Sequence, residues 1–130
     1  MTPFATKTLP TKPDVDAPDG SQVRVLLDVK GGSMAHFRLD AGQVAIAVQH
    51  RTVDELWYVL AGAGEIWRQQ DGREEITPLT PGTNISIPLG TAFQFRAASN
   101  SALEILGCTM PPWPGADEAF PVPGKWKPTV

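Results

Sequence analysis

The sequence predicts an all-β chain, a sandwich or barrel of many short strands. Three observations carry that prediction. The 130 residues include 12 glycines and 13 prolines, far too much punctuation for a helix bundle. Apolar and polar residues alternate with the period of two that a half-buried strand requires. Turn signals recur at roughly 8–12-residue intervals, as they do in sandwiches and barrels. The length suits one domain, and a domain of this size buries roughly two thirds of its unfolded surface.

The elements follow in order. Residues 1–20 carry Pro3, Pro10, Pro13, Pro18 and Gly20 and read as an extended N-terminal arm. Val23, Val25, Leu27 and Val29 alternate with Arg24, Asp28 and Lys30, a first strand that Gly31-Gly32 turns into a hairpin. Phe37 and Leu39 alternate with His36, Arg38 and Asp40, and Ala41-Gly42 turns the chain again. Val44, Ile46 and Val48 form a third strand ending near His50. Leu56 to Leu60 is apolar on both faces and is expected as a fully buried strand. Glu65 to Gln70 follows, and Asp71-Gly72 is a strong two-residue hairpin signal. Ile76 to Leu79, Asn84 to Ile87, Ala92 to Arg96 and Leu103 to Cys108 complete the barrel, which spans residues 21–110. Residues 111–130 hold six prolines with Trp113 and Trp126. Proline blocks regular pairing, so this tail is expected as an irregular strap whose aromatics dock on the barrel or on a second subunit.

Composition narrows the function. Eleven Lys and Arg stand against 14 Asp and Glu, net charge −3, with no basic block, which argues against nucleic acid as a partner. A lone Cys108 excludes a disulfide framework and a zinc cluster of thiolates. No stretch approaches the roughly 20 apolar residues that span a bilayer, and the polar N-terminus lacks the character of a signal or transit peptide. The expectation is a cytoplasmic protein with a small-molecule partner, no membrane and no nucleic acid. The strand edges and the aromatic tail suggest a homodimer.

Two stretches carry the chemical information. The first reads Gly42, five residues, Val48, Gln49, His50, four residues, Glu55, six residues, Gly62. The second reads Gly82, five residues, Pro88, Leu89, Gly90, two residues, Phe93, three residues, Ala97. This pattern resembles the cupin superfamily, whose motifs are Gly, five, His, one, His, three or four, Glu, six, Gly, and Gly, five, Pro, one, Gly, two, His, three, Asn. The resemblance implies a double-stranded β-helix, a jelly-roll-type barrel, and a divalent metal held inside it by three His and one Glu. Here His50 matches the second His and Glu55 the Glu. Val48 and Phe93 stand where the other two His belong, and neither side chain has a lone pair to donate. The metal motif is therefore degenerate. No firm cofactor is expected; a weakly held divalent metal at His50 and Glu55 is the residual option.

What survives is an imidazole and a carboxyl inside an apolar hollow. Val48, Trp57, Ile87, Phe93, Phe95 and Gln94 are the expected ligand-binding residues around them, although strand alternation points Gln94 outward. Burial raises a carboxyl pKa, and imidazole titrates near neutrality, so His50 and Glu55 suit acid–base catalysis without a metal. An isomerisation, elimination or hydration of a small, mostly apolar organic molecule is the leading reading. The alternatives are a non-catalytic ligand-binding or sensing barrel, with His50 and Glu55 merely paired, and a divalent-metal-dependent enzyme. His36 is expected at the surface or in a subunit contact, and Arg68 and Arg96 as exposed charges or as carboxylate binders at the rim.

Overall fold

The computed structural model describes all 130 residues. It has eleven strands: β1 (Val15–Asp16), β2 (Gln22–Val29), β3 (Gly32–Leu39), β4 (Val48–His50), β5 (Asp54–Gly62), β6 (Gly64–Gln70), β7 (Arg73–Leu79), β8 (Asn84–Ile87), β9 (Ala92–Ala97), β10 (Leu103–Met110) and β11 (Ala119–Pro121). One turn of 3₁₀ helix at Ala116–Glu118 precedes the last. They form two antiparallel sheets, six-stranded in the order β1-β2-β3-β10-β5-β8 and five-stranded in the order β11-β4-β9-β6-β7. Their inward faces enclose one core.

Alternation builds that core. Glu55, Trp57 and Val59 of β5 point inward, as do Leu103, Ile105, Gly107 and Thr109 of β10. Leu39, Ile66, Leu79, Ile87, Phe95 and Ile105 are almost wholly removed from water. Truncating a buried Phe such as Phe95 to Ala costs about 3–5 kcal/mol. The Asp71-Gly72 hairpin forms as expected. Gln70 pairs with Arg73, and both turn residues take positive φ, 49° and 75°, which matches the right-handed twist of the strands.

Three expectations need correction. Leu56 to Leu60 is not buried on both faces: Leu56, Tyr58 and Leu60 point outward and are exposed. The third strand is shorter than the Val44–His50 alternation suggests. Residues 44–47 are irregular, held by one bridge from Val44 to Arg96 and by Ala45 N–H donating to the Phe95 carbonyl. The tail, expected to be irregular throughout, supplies β11. Pro121 is tolerated opposite Val48 because β11 is an edge strand that needs no donor on its outer side.

The tail is fastened at two points. The Glu118 carboxylate accepts the backbone N–H groups of Arg51, Thr52 and Val53 at 2.8, 2.7 and 3.2 Å, and the Thr52 hydroxyl as well. Gln94, outward on β9, donates to the carbonyls of Ala45 and Trp126 and accepts from the N–H groups of Lys125 and Trp126. Trp126 packs with Trp67 on the outside of the five-stranded sheet, and the Arg96 guanidinium lies 4.0 Å above its ring. The docking surface for the tail's aromatics is thus the barrel itself.

Candidate functional site

The motif residues gather at one end of the barrel. Val48 and His50 alternate inward on β4, and Val48 lies directly opposite Phe93 of β9. The corner Arg51–Val53 joins β4 to β5, and Glu118 grips its backbone, so the relative placement of His50 and Glu55 depends on the tail. Glu55, at the start of β5, pairs in register with Ile87 and Thr109. Gly107 sits opposite Trp57 on β10. A Cβ there would lie 2.4 Å from the Phe37 ring and 3.1 Å from Glu55 Oε2, so only glycine leaves room for the carboxyl.

A cavity of about 380 Å³ opens at this end, within the size range of small-molecule sites. His50, Glu55, Val48, Trp57 and Phe93 all line it. Ile87 and Phe95 do not: they share the inward register but belong to the closed core. Gln94 does not line it either, because its amide is committed to the tail on the opposite face of β9. His36 departs from its expected surface position. It is 2% exposed and its Nε2 lies 3.0 Å from Glu104. Arg68 bonds the Ser86 carbonyl and Thr77, and Arg96 pairs with Glu65, so each has a protein partner.

The electrostatics of the pair are inverted relative to water. His50 Nε2 and Glu55 Oε1 are 3.5 Å apart, an ion-pair distance, with side chains 4% and 3% exposed. Burial pushes Glu55 up to about 8, the Trp57 N–H works against that rise, and the Asp19 carboxyl adds to it. Burial also holds His50 below its ordinary value, against the pull of the Glu118 charge. At neutral pH the proton therefore rests on the carboxyl, and the imidazole is neutral. The contact is an acid beside a base, not a carboxylate beside an imidazolium.

Two polar atoms in this wall have no hydrogen-bond partner, His50 Nδ1 and Trp57 Nε1. The indole N–H approaches the Glu55 carboxyl without closing a hydrogen bond. Ring edges surround the imidazole: the His50 centroid lies 5.2 Å from Phe93 and 5.5 Å from Trp113. The residue that sequence reasoning missed is Asp19. It comes from the presumed arm, lines the cavity and is 8% exposed. Its Oδ1 accepts from Ser21 N and Oγ, yet burial still raises its pKa. No motif pointed to it; an Asp-Gly-Ser turn beside Pro18 reads as a loop.

The donor set does not fit a divalent metal. No three His, Cys, Asp or Glu side chains are placed to share an ion. His50 and Glu55 supply two donors, where catalytic zinc normally takes three from the protein. No helix is long and apolar enough to cross a membrane.

Comparisons with known proteins agree with the fold. A family model described as "Cupin domain" matches residues 35–107. Among solved structures, ectoine synthase from P. lautus is 25% identical over 95% of this chain and 94% of its own, with a TM-score of 0.69. A cupin protein from Bacteroides fragilis is 22% identical over 85% and 86%, TM-score 0.66. KdgF from Halomonas sp. is 24% identical over 71% and 81%, TM-score 0.61. No curated protein matches the sequence. With more than half its length matched by the family model and both motif frames folded into one double-stranded β-helix, the chain belongs to the cupin family.

Proposed function

We propose that this cupin is an enzyme of acid–base chemistry acting on a small, mostly apolar, carbonyl-bearing molecule inside the barrel. The observation that carries the reading is one buried pair at a ligand-sized cavity, His50 Nε2 3.5 Å from Glu55 Oε1, and burial moves the two in opposite directions, Glu55 up to about 8 and His50 down. Environments that push two titratable groups apart in this way mark an acid and a base. Neutral His50 removes a proton next to the carbonyl, and Glu55 hydrogen-bonds to the carbonyl oxygen and protonates it. Return of a proton to a different carbon gives isomerisation; loss of a β-substituent gives elimination. The dry aromatic wall keeps water from levelling both groups. The likeness to ectoine synthase, an enzyme by name, supports a catalytic use of this barrel.

Proton exchange tests this without knowing the substrate. A panel of small ketones and aldehydes in D₂O, followed by NMR, is expected to show α-proton exchange. It should be fastest between the lowered His50 value and about 8, and fall on both sides as His50 gains or Glu55 loses its proton. His50→Ala and Glu55→Gln should each reduce exchange about 10²-fold or more while binding persists. Compounds that bind with no exchange at any pH would favour the second reading, a non-catalytic binding barrel. That reading draws on the unpartnered Trp57 and His50 nitrogens, which can recognise a ligand without turning it over.

A further inference from the structure

The cavity that holds His50 and Glu55 is acidic and aromatic at once. Asp16, Asp19, Asp28 and Glu55 line it, and no Lys or Arg does. Lys7, on the arm, gives its ammonium to the Val25 carbonyl and is not among the lining residues. Acidic side chains around a hollow do not make a site by themselves. Here, though, the wall also holds Trp57, whose indole Nε1 is buried with no hydrogen-bond partner on a residue 3% exposed. An unpaired buried donor is a standing demand for an acceptor.

Asp19 is the carboxyl best placed to bind. It is 8% exposed, and both of its hydrogen bonds, from Ser21 N at 2.9 Å and Ser21 Oγ at 2.7 Å, fall on Oδ1. Oδ2 has none, and no cationic side chain pairs with the residue. Its backbone is pinned by Ile46 N–H at 2.8 Å, so the side chain is preset rather than loose. Trp57 and Trp113 line the same cavity. A buried carboxyl without a counterion beside aromatic rings selects for a cation that brings apolar surface with it.

We propose that the cavity takes a small organic ammonium compound that also carries a carbonyl, with Asp19 Oδ2 as the anchor for the ammonium and the Trp57 N–H as a donor to the carbonyl oxygen. This rests on the acid–base reading and names its substrate class: the ammonium held by Asp19 leaves the Glu55 proton free for the carbonyl end.

The test is a titration by calorimetry at pH 7 and fixed ionic strength with three probes of one shape, benzylamine, benzyl alcohol and benzoate. Native protein should bind the amine at least about tenfold more tightly than the alcohol, and benzoate least. Asp19→Asn should bring the amine down to the affinity of the alcohol while leaving the alcohol unchanged, which also shows that the cavity still folds. Glu55→Gln should keep the preference. An amine no tighter than the alcohol in native protein overturns the proposal with no variant needed, and a preference that survives Asp19→Asn overturns the anchor. Amine preference without any α-proton exchange would sink the acid–base reading alone. Exchange on neutral ketones with no amine preference would sink this proposal alone.

Discussion

Glu55 and Glu118 are both buried, 3% and 4% exposed, and they have opposite chemistry. Burial works to raise the pKa of each. At Glu118 the bonds from the Thr52 hydroxyl and from the Thr52, Val53 and Arg51 N–H groups outweigh it and hold the carboxylate below the ordinary range. At Glu55 only an indole N–H opposes burial, and the value climbs to about 8. The degree of burial does not separate a carboxylate held ionised from one pushed toward its protonated form; the count of donors does. On the tail side the Gln94 amide and the Glu118 carboxylate are fully engaged, although Trp67 Nε1 beside Trp126 has no partner. The cavity leaves His50 Nδ1 and Trp57 Nε1 without partners. A ligand-sized cavity and a clasp thus stand one strand corner apart, between residues 50 and 55.

The sharpest way to break this contrast is to remove the clasp. Glu118→Ala would strand the Thr52 and Val53 N–H groups and the Thr52 hydroxyl, while Arg51 N–H keeps the Glu118 backbone carbonyl, and a loss of about 2–4 kcal/mol is expected, read from urea unfolding. A loss under about 1 kcal/mol would mean that the tail is not what holds the corner. Next in size is Gly107→Ala. Its Cβ would meet Phe37 and Glu55 Oε2, so about 1–3 kcal/mol should go, together with binding of any cavity ligand. Unchanged ligand affinity in that variant would place the carboxyl elsewhere in solution.

The pH-dependent effect has the most informative sign. In the native state Glu55 keeps its proton up to about 8, whereas the unfolded chain releases it near the ordinary value of 4.5. Glu55 therefore lowers stability as pH rises across that window, at up to about 1.4 kcal/mol per pH unit. Glu55→Gln, which mimics the neutral acid, should gain on native protein steadily from pH 5 to 8 and show no advantage at pH 4, in melting temperatures. The raised Asp19 acts in the same direction. His50 acts in the opposite one: its lowered value removes stability as pH falls below 6.5, where only the unfolded chain takes up the proton. A Glu118→Gln variant should lose stability at neutral pH and approach native protein in acid, since a depressed carboxylate stabilises only while ionised. Parallel pH profiles for the two glutamine variants would erase the contrast.

Much of the site was legible in the sequence because it rests on local rules. The motif resemblance placed Val48, His50, Glu55 and Phe93 on the inner face and alternation added Trp57, whereas β4 and β5 begin at Val48 and Asp54 rather than at the Val44 and Leu56 that the pattern suggests. The same rule overreached at Ile87 and Phe95. Period two says which face a residue takes, not how far along the barrel the hollow extends. It also read β5 as buried on both faces, since nothing in an apolar run states whether a second layer covers its outer side.

Local pattern therefore determined most of the strands and the turn at Asp71-Gly72, and the motif resemblance supplied the loss of metal donors at Val48 and Phe93 and the meeting of an imidazole with a carboxyl. Only the tertiary structure decided what surrounds them. Asp19 enters the cavity from the arm, and Glu118 reaches Arg51 across 67 residues of sequence. Such contacts leave no periodic trace, because a single polar side chain finds its partners only after the sheets have packed. That closure sets the dielectric and the donor count at each carboxyl, and so decides which glutamate holds a proton and which holds the chain.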